Sequence, residues 1–263
     1  MLACTLYVYV YFHGVEDLLD CRRLVRLWKK PLRWKQCPIE PRGLLVAPEI
    51  TITGKPQDRL ARGSRQRFFG FDDQLVNVEE LAIQHYKVTE SWNGVHCEGT
   101  VFFLLHSLLF LDIIFDDTVP YVFQTPFQTG PLDLDDESFY PFRKVSIDAR
   151  VEEIAAGNFP ALIDAHFDKY EGRLVSGLHW GAFPRAQVHQ MASCIGGPRL
   201  SRLCRMLCEE RGYWSSGVPD LFLWKDGGSQ GPVCKIVEVK GGADKLSEQQ
   251  RAWIDRLLSM DFE

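Results

Sequence analysis

"SGVPDLFLWKDGGSQGPVCKIVEVKGG", residues 216–242, decides how this chain folds. Two runs rich in β-branched and aromatic residues flank a polar stretch containing Gly227, Gly228 and Gly231, the pattern of two antiparallel strands joined by a loose loop. Paired positions in such a hairpin have a constant sum. Setting Asp220 opposite Glu238 puts the centre at residue 229, inside the glycine loop, so the register is self-consistent. Side chains alternate along a strand, which sends Glu238 and Lys240 to one face and Val237 and Val239 to the other. Asp220, an acid at the mouth of an apolar run, reaches the face of Glu238 from the open end. Two carboxylates and an ammonium then converge. Any one of them buried alone is costly, whereas two acids around a hard divalent cation with a lysine beside them form a balanced set. Such a cation orients a water and lowers its pKa, and Lys240 can position that water or stabilise charge growing on a phosphate.

The segment after the hairpin reads as a helix. "LSEQQRAWIDRLL" opens with Ser247 and has Gln250 three residues later, a capping box, with Leu246 placed as a hydrophobic staple. Gln250, Trp253, Ile254 and Leu257 share one helical stripe, so a polar side chain points inward beside the acids. Gln250 is thus a candidate support for the carboxylates, with closure of the capping box as its alternative role.

The rest of the composition sets limits. A chain of 263 residues, 46% apolar and 12% aromatic, is a folded globule of one large or two smaller domains. Its net charge of −5 makes it no general attractor of polyanions, so any nucleic-acid contact has to be local. The eight cysteines never form a CxxC, which argues against a zinc ribbon or a secreted disulfide scaffold and for reduced thiols inside a cell. The apolar start "MLACTLYVYVYFHG" lacks a basic region and a cleavage site and is too short for a membrane span, so it reads as a strand or an irregular chain start. "VFFLLHSLLFLDIIF", 101–115, is also too short to span and is interrupted by His106 and Asp112. It reads as a helix buried on most sides. No membrane partner is expected.

Between these landmarks, residues 22–35 carry Arg22, Arg23, Arg26, Lys29, Lys30, Arg33 and Lys35 with Trp28 and Trp34 interleaved. Charge with aromatics suits a phosphate backbone, although a solvated face with core tryptophans fits equally. "EITITG", 49–54, alternates like a short strand. "NVEELAIQHY", 77–86, is helical and "WNGVHCEG", 92–99, reads as a loop. "PLDLDDES", 131–138, is acidic and turn-like, but lacks the glycine and distant glutamate of a calcium loop. Residues 145–214 read as several helices with a break at Gly196, Gly197 and Pro198. His-x-Glu at 96–98 lacks the P-C-x-x-C partner of a zinc deaminase, and His96 is expected to be a structural hydrogen-bonding residue. The chain is therefore expected to divide into a basic segment at 1–50, a mostly helical region at 51–150 and a compact domain at 151–263.

Pro219 and Asp220, followed by Glu238, Val239 and Lys240, resemble the PD-(D/E)XK nuclease pattern. "SGVPDLFLW", "KIVEVKGGADKLSEQQRAWI" and "CIGGPRLSRLCRML", preceded in order by "EITITGK", "VEELAIQHY", "GVHCEG", "LDIIFDD" and "PLDL", resemble the VRR-NUC domain family of the Fanconi-associated nucleases over roughly residues 22–263. The resemblance implies an α/β restriction-endonuclease-like core with a mostly helical region packed N-terminal to it. It implies a structure-specific DNA nuclease of the nucleus that uses one or two Mg²⁺ or Mn²⁺ ions, cuts 5′ flaps, degrades from the 5′ side and acts in interstrand cross-link repair. Its metal ligands would be Glu98, Asp220, Glu238 and the backbone carbonyl of Val239, with Lys240 completing the catalytic set. Glu98 also suits the part because it sits in a glycine-flanked loop at the start of a helix, near the positive end of its dipole. Asp244 and Lys245 match a further charged pair of the family, and Arg202 and Arg205 join the basic segment as candidate DNA contacts. Branched or flapped DNA is the expected partner, with other cross-link repair proteins reached through regions absent from this sequence.

The sequence departs from the family in lacking a ubiquitin-binding zinc finger, a SAP-like domain and most of a helical-repeat region. It also stops at Glu263, where the family has another core strand, and so is expected to be a C-terminal fragment with an open sheet edge. Two alternatives remain: a non-catalytic DNA-binding or scaffold remnant, and a related nuclease with a different DNA substrate.

Overall fold

A computed structural model describes residues 7–8, 48–57, 66–226, 231–242 and 244–262. In chain order these form β1 (Tyr7–Val8), β2 (Lys55–Pro56), β3 (Phe68–Phe69), β4 (Leu75–Val76), α1 (Val78–Glu90), β5 (Asn93–His96), α2 (Thr100–Leu109), α3 (Leu111–Ile114), α4 (Phe139–Ala155), α5 (Phe159–Tyr170), α6 (Arg185–Ile195), α7 (Gly197–Glu210), a 3₁₀ turn (Tyr213–Ser215), β6 (Leu221–Asp226), β7 (Pro232–Val237), β8 (Val239–Lys240) and α8 (Glu248–Leu258). The basic residues of 22–35 lie outside the described residues.

The hairpin forms in the expected register. Leu221 pairs with Val237, Phe222 with Ile236 and Trp224 with Cys234, the constant sum that sets Asp220 opposite Glu238. Its pleat sorts the side chains into two cores. Phe222, Trp224, Cys234 and Ile236 enter a large core built with α2 and α4 to α7, while Leu221, Leu223, Val237 and Val239 enter a second one with Ile52, Ala82, Tyr86 and Trp92. The sheet is thus covered on both faces, which is why its strands are continuously apolar. Complete burial of each such side chain contributes about 1.5–3 kcal/mol. Helix α8 closes one end, giving Trp253 and Leu257 to the first core and Ile254 and Leu258 to the second. Its capping box at Ser247 and Gln250 forms as expected, and Leu246 packs on the second core.

Two expectations are corrected. Residues 93–96 are not a loop: β5 pairs antiparallel along β6, from Asn93 opposite Trp224 to His96 opposite Leu221, so β6 is the central strand of three. Asn93 and Gly94 look like turn residues, but Gly94 is there for contact. A Cβ on it would lie 2.5 Å from Leu223 Cδ2. The alternation at 49–53 is real in burial, with Ile52 inward, yet the ladder begins only at Gly54 and runs through β2 to β3. Separately, Tyr7–Val8 run antiparallel to Val239 and Lys240 as a two-stranded ladder beside the three-stranded sheet.

The helical region follows the sequence closely. The apolar run divides at Phe110 into α2 and α3, and His106 is wholly buried with its Nε2 3.4 Å from Cys208 Sγ. Burial lowers the His106 pKa to about 3, so the ring is neutral and costs no buried charge. The acids of 131–138 meet cations and amides of the fold: Asp133 pairs with buried Arg143 at 2.7 Å and Asp135 with Arg211, while Asp136 accepts from the Ser138 amide. Among the described residues Cys97, Cys194, Cys204, Cys208 and Cys234 are buried and form no disulfide. No helix among the described residues is long and apolar enough to cross a membrane.

Candidate metal centre and catalytic site

The hairpin's open end and the turn entering α2 meet at one place. The ladder between β5 and β6 continues one step beyond the strands, the Cys97 amide donating to the Asp220 carbonyl at 2.8 Å, which carries Glu98 up to Asp220. Glu98 takes φ +41°, a left-handed conformation that a residue with a side chain adopts only at some cost. Gly99 follows at φ +92° and is the N-cap of α2, so the strand turns into the helix within two residues. The Glu98 carboxylate is held at the mouth of the site, and His96 Nε2 lies 3.3 Å from its Oε1. Ligand atoms of His96, Glu98 and Asp220 all fall within 4.8 Å of one another.

Behind this mouth the site is more buried. Asp220 Oδ2 accepts from the Val239 amide at 2.8 Å, tying the first acid to the strand that carries the second. Glu238 is 1% exposed. Its Oε1 accepts from the Lys240 ammonium and, at 2.7 Å, from Gln250 Nε2. Its Oε2 is buried and receives no hydrogen bond. Burial, then the neighbouring Asp220 carboxylate, push the Glu238 pKa up to about 7, and burial likewise raises that of Asp220. Neighbouring carboxylates, one of them wholly buried, favour a proton or a cation between them. The unsatisfied Glu238 Oε2 and, at the mouth, the grouped ligand atoms of His96, Glu98 and Asp220 are donors of the kind a divalent ion takes, with the Val239 carbonyl on the same strand.

Gln250 performs both roles considered for it. Its Oε1 accepts from the Ser247 amide, closing the capping box, while its Nε2 holds Glu238. The two roles are separable. Ser247→Ala is expected to cost about 1 kcal/mol of stability through the lost cap and to leave catalysis near wild type. Gln250→Ala is expected to cost as much and also to lower turnover by about 10–100-fold, because the Glu238 carboxylate it orients is released. Thermal melts beside initial rates for both variants check this.

The comparisons with known proteins agree with the geometry. Residues 156–263 match the family profile of the VRR-NUC domain. The chain carries a VRR-NUC domain. A Fanconi-associated nuclease 1 homolog of Arabidopsis thaliana is 40% identical over 244 residues, covering 92% of this chain and 27% of that protein. Human Fanconi-associated nuclease 1 is 39% identical over 193 residues, covering 72% of this chain and 19% of that protein. The chain thus spans about a quarter, or less, of the length of these relatives. A solved structure of paFAN1 bound to 2nt 5′ flap DNA with gap superposes with a TM-score of 0.65 at 22% identity, over 78% of this chain and 37% of that one. The mixed α/β architecture is accordingly the fold of that structure.

Within the VRR-NUC domain Asp220, Glu238, Val239, Lys240 and Gln250 come together, and Glu98 joins them from outside the matched span. Asp244 and Lys245 lie exposed in the loop between β8 and α8. Arg202 and Arg205 have partners inside the fold. Arg202 pairs with Asp261 at 2.5 Å, and Arg205 holds Asp148 at 2.6 Å and the Tyr140 hydroxyl at 2.7 Å. The sequence reading gave His96 a structural hydrogen-bonding role; the structure sets its Nε2 3.3 Å from the Glu98 carboxylate, where the chain leaves β5 and turns into α2.

Proposed function

We propose that this protein is a metal-dependent, structure-specific DNA nuclease that cuts 5′ flaps and degrades DNA from the 5′ side, acting in the nucleus in the repair of interstrand cross-links. The observation that carries the reading is the buried Glu238 carboxylate, saturated on Oε1 by Lys240 and Gln250 and bare on Oε2 toward Asp220. The names of the nuclease relatives and the flap DNA held by paFAN1 support the substrate class.

Asp220, Glu238, Glu98 and the Val239 carbonyl would hold Mg²⁺ or Mn²⁺, as one or two ions. Such a cation supplies Lewis-acid stabilisation of a phosphate oxygen and an acidified water. The chain itself supplies the rest. Lys240, 9% exposed and pinned by Glu238, presents a fixed positive charge to the phosphate as its negative charge grows, a contribution that needs no reorganisation during the reaction. Gln250 keeps Glu238 from rotating, and the strained Glu98 backbone keeps the third carboxylate at the mouth. Hydrolysis forms a bond from water oxygen to phosphorus as the bond to the departing nucleotide oxygen breaks.

The test uses a 5′-flap duplex labelled at one end, incubated with the protein and Mn²⁺. Cleavage that disappears with chelator and with Glu238→Ala is expected. Binding without turnover, or cleavage indifferent to Glu238→Ala, overturns the proposal.

A further inference from the structure

The acids of the site do not occupy equivalent surroundings. Glu238 is buried, its Oε1 held by the Lys240 ammonium and the Gln250 side-chain amide, whereas Glu98 is exposed at the mouth, its side chain 71% accessible, with an imidazole beside it. Asp220 lies between the two, against Glu238 on one side and grouped with Glu98 and His96 on the other. The outer half of the centre is thus a mixed nitrogen and oxygen donor set. His96 is placed there by the backbone: it is the last residue of β5, opposite Leu221 in the ladder, two residues before the left-handed turn at Glu98. Its side chain is 36% accessible, so the ring reaches the mouth of the site rather than a core.

We propose that His96 is a direct nitrogen ligand of the outer ion position, and that it biases the centre toward Mn²⁺ and later first-row ions over Mg²⁺. The inference rests on the metal site proposed above and adds a ligand to it. Imidazole binds ions in the order Mn²⁺, Fe²⁺, Co²⁺, Ni²⁺, while Mg²⁺ favours carboxylate, carbonyl and water oxygen. An oxygen-only set would discriminate little between Mg²⁺ and Mn²⁺ of similar demand. One imidazole in the set strengthens binding of the transition ion and adds little for Mg²⁺, which dehydrates reluctantly. The rival role for His96 is a cationic partner of Glu98 with no bond to the ion.

Mn²⁺ is its own probe. The wild-type protein loaded with one equivalent of Mn²⁺ is expected to show ¹⁴N modulation in pulsed electron paramagnetic resonance, converted to a ¹⁵N pattern by labelling with ¹⁵N-histidine. His96→Gln should abolish the signal and raise the calorimetric Kd for Mn²⁺ about tenfold, with that for Mg²⁺ near wild type. His96→Asn serves as a second variant, and a circular dichroism melt shows that each is folded. Mn²⁺ bound without nitrogen modulation, and unaffected by His96→Gln, overturns the inference and leaves the metal site standing. Mn²⁺ binding that is absent, or that survives Asp220→Asn together with Glu238→Gln, overturns both.

Discussion

Glu238→Gln is expected to make the metal-free protein more stable while abolishing cleavage. The Glu238 pKa rises on folding from an ordinary 4.5 to about 7, chiefly through burial and then through Asp220. Between these values the folded protein binds a proton that the unfolded chain does not, so stability falls as pH rises from about 4.5 to about 7 and is level above. The favourable contribution is complete below the lower value and lost above the upper one. Over that interval the loss is on the order of 3 kcal/mol. Glutamine removes it: its carbonyl still accepts from Lys240 and Gln250, and its amide can donate to Asp220. At pH 8 without metal the variant should melt about 6–10 °C higher than wild type, with a flatter dependence on pH. Mn²⁺ should stabilise wild type most at high pH, where the cation replaces the missing proton, and should stabilise the variant little. A variant that melts lower than wild type at pH 8 would sink this account of the carboxylate pair.

The second large effect lies away from the site. Arg143 and Asp133 form a two-pronged pair with side chains 0% and 9% exposed, and the guanidinium rests over the Phe139 ring at 4.5 Å. Removing one member leaves the other charged in the core. Arg143→Met is therefore expected to cost about 3–5 kcal/mol. The double variant Asp133→Leu with Arg143→Met should recover most of that, because no charge is then stranded. Urea midpoints of the three proteins decide it, and a single variant costing less than about 1 kcal/mol would show that water reaches the pair.

The hairpin was legible because its constraint is local and doubly determined: the glycine loop fixes the centre and the apolar alternation fixes the faces. The capping box of α8 was legible for the same reason. β5 was not, since Asn93 and Gly94 carry loop chemistry and the reason for Gly94, the approach of Leu223, lies far along the chain. The ladder near residue 54 was misplaced by a few positions because alternation reports burial, and Ile52 is buried without a strand partner. The acidic loop read correctly as a turn, but its cations Arg143 and Arg211 could be matched to it only in three dimensions. At the candidate site, Asp220, Glu238, Lys240 and Gln250 sit on the hairpin and the helix after it. His96, expected as a structural hydrogen-bonding residue, owes its place at the mouth to the distant pairing of β5 with β6.

That distant pairing also governs when the site can come into being. His96 and Leu221, neighbours in the sheet, are about 125 residues apart in sequence, and the helices α2 to α7 lie between them. Closing so long a loop is entropically unfavourable and slow compared with forming the hairpin. A chain emerging from the ribosome would have its helices made before β6 exists to receive β5. Until then Glu98 and Glu238 are strangers, so metal affinity should appear late and abruptly in folding, as a marker of the completed topology rather than of any one segment.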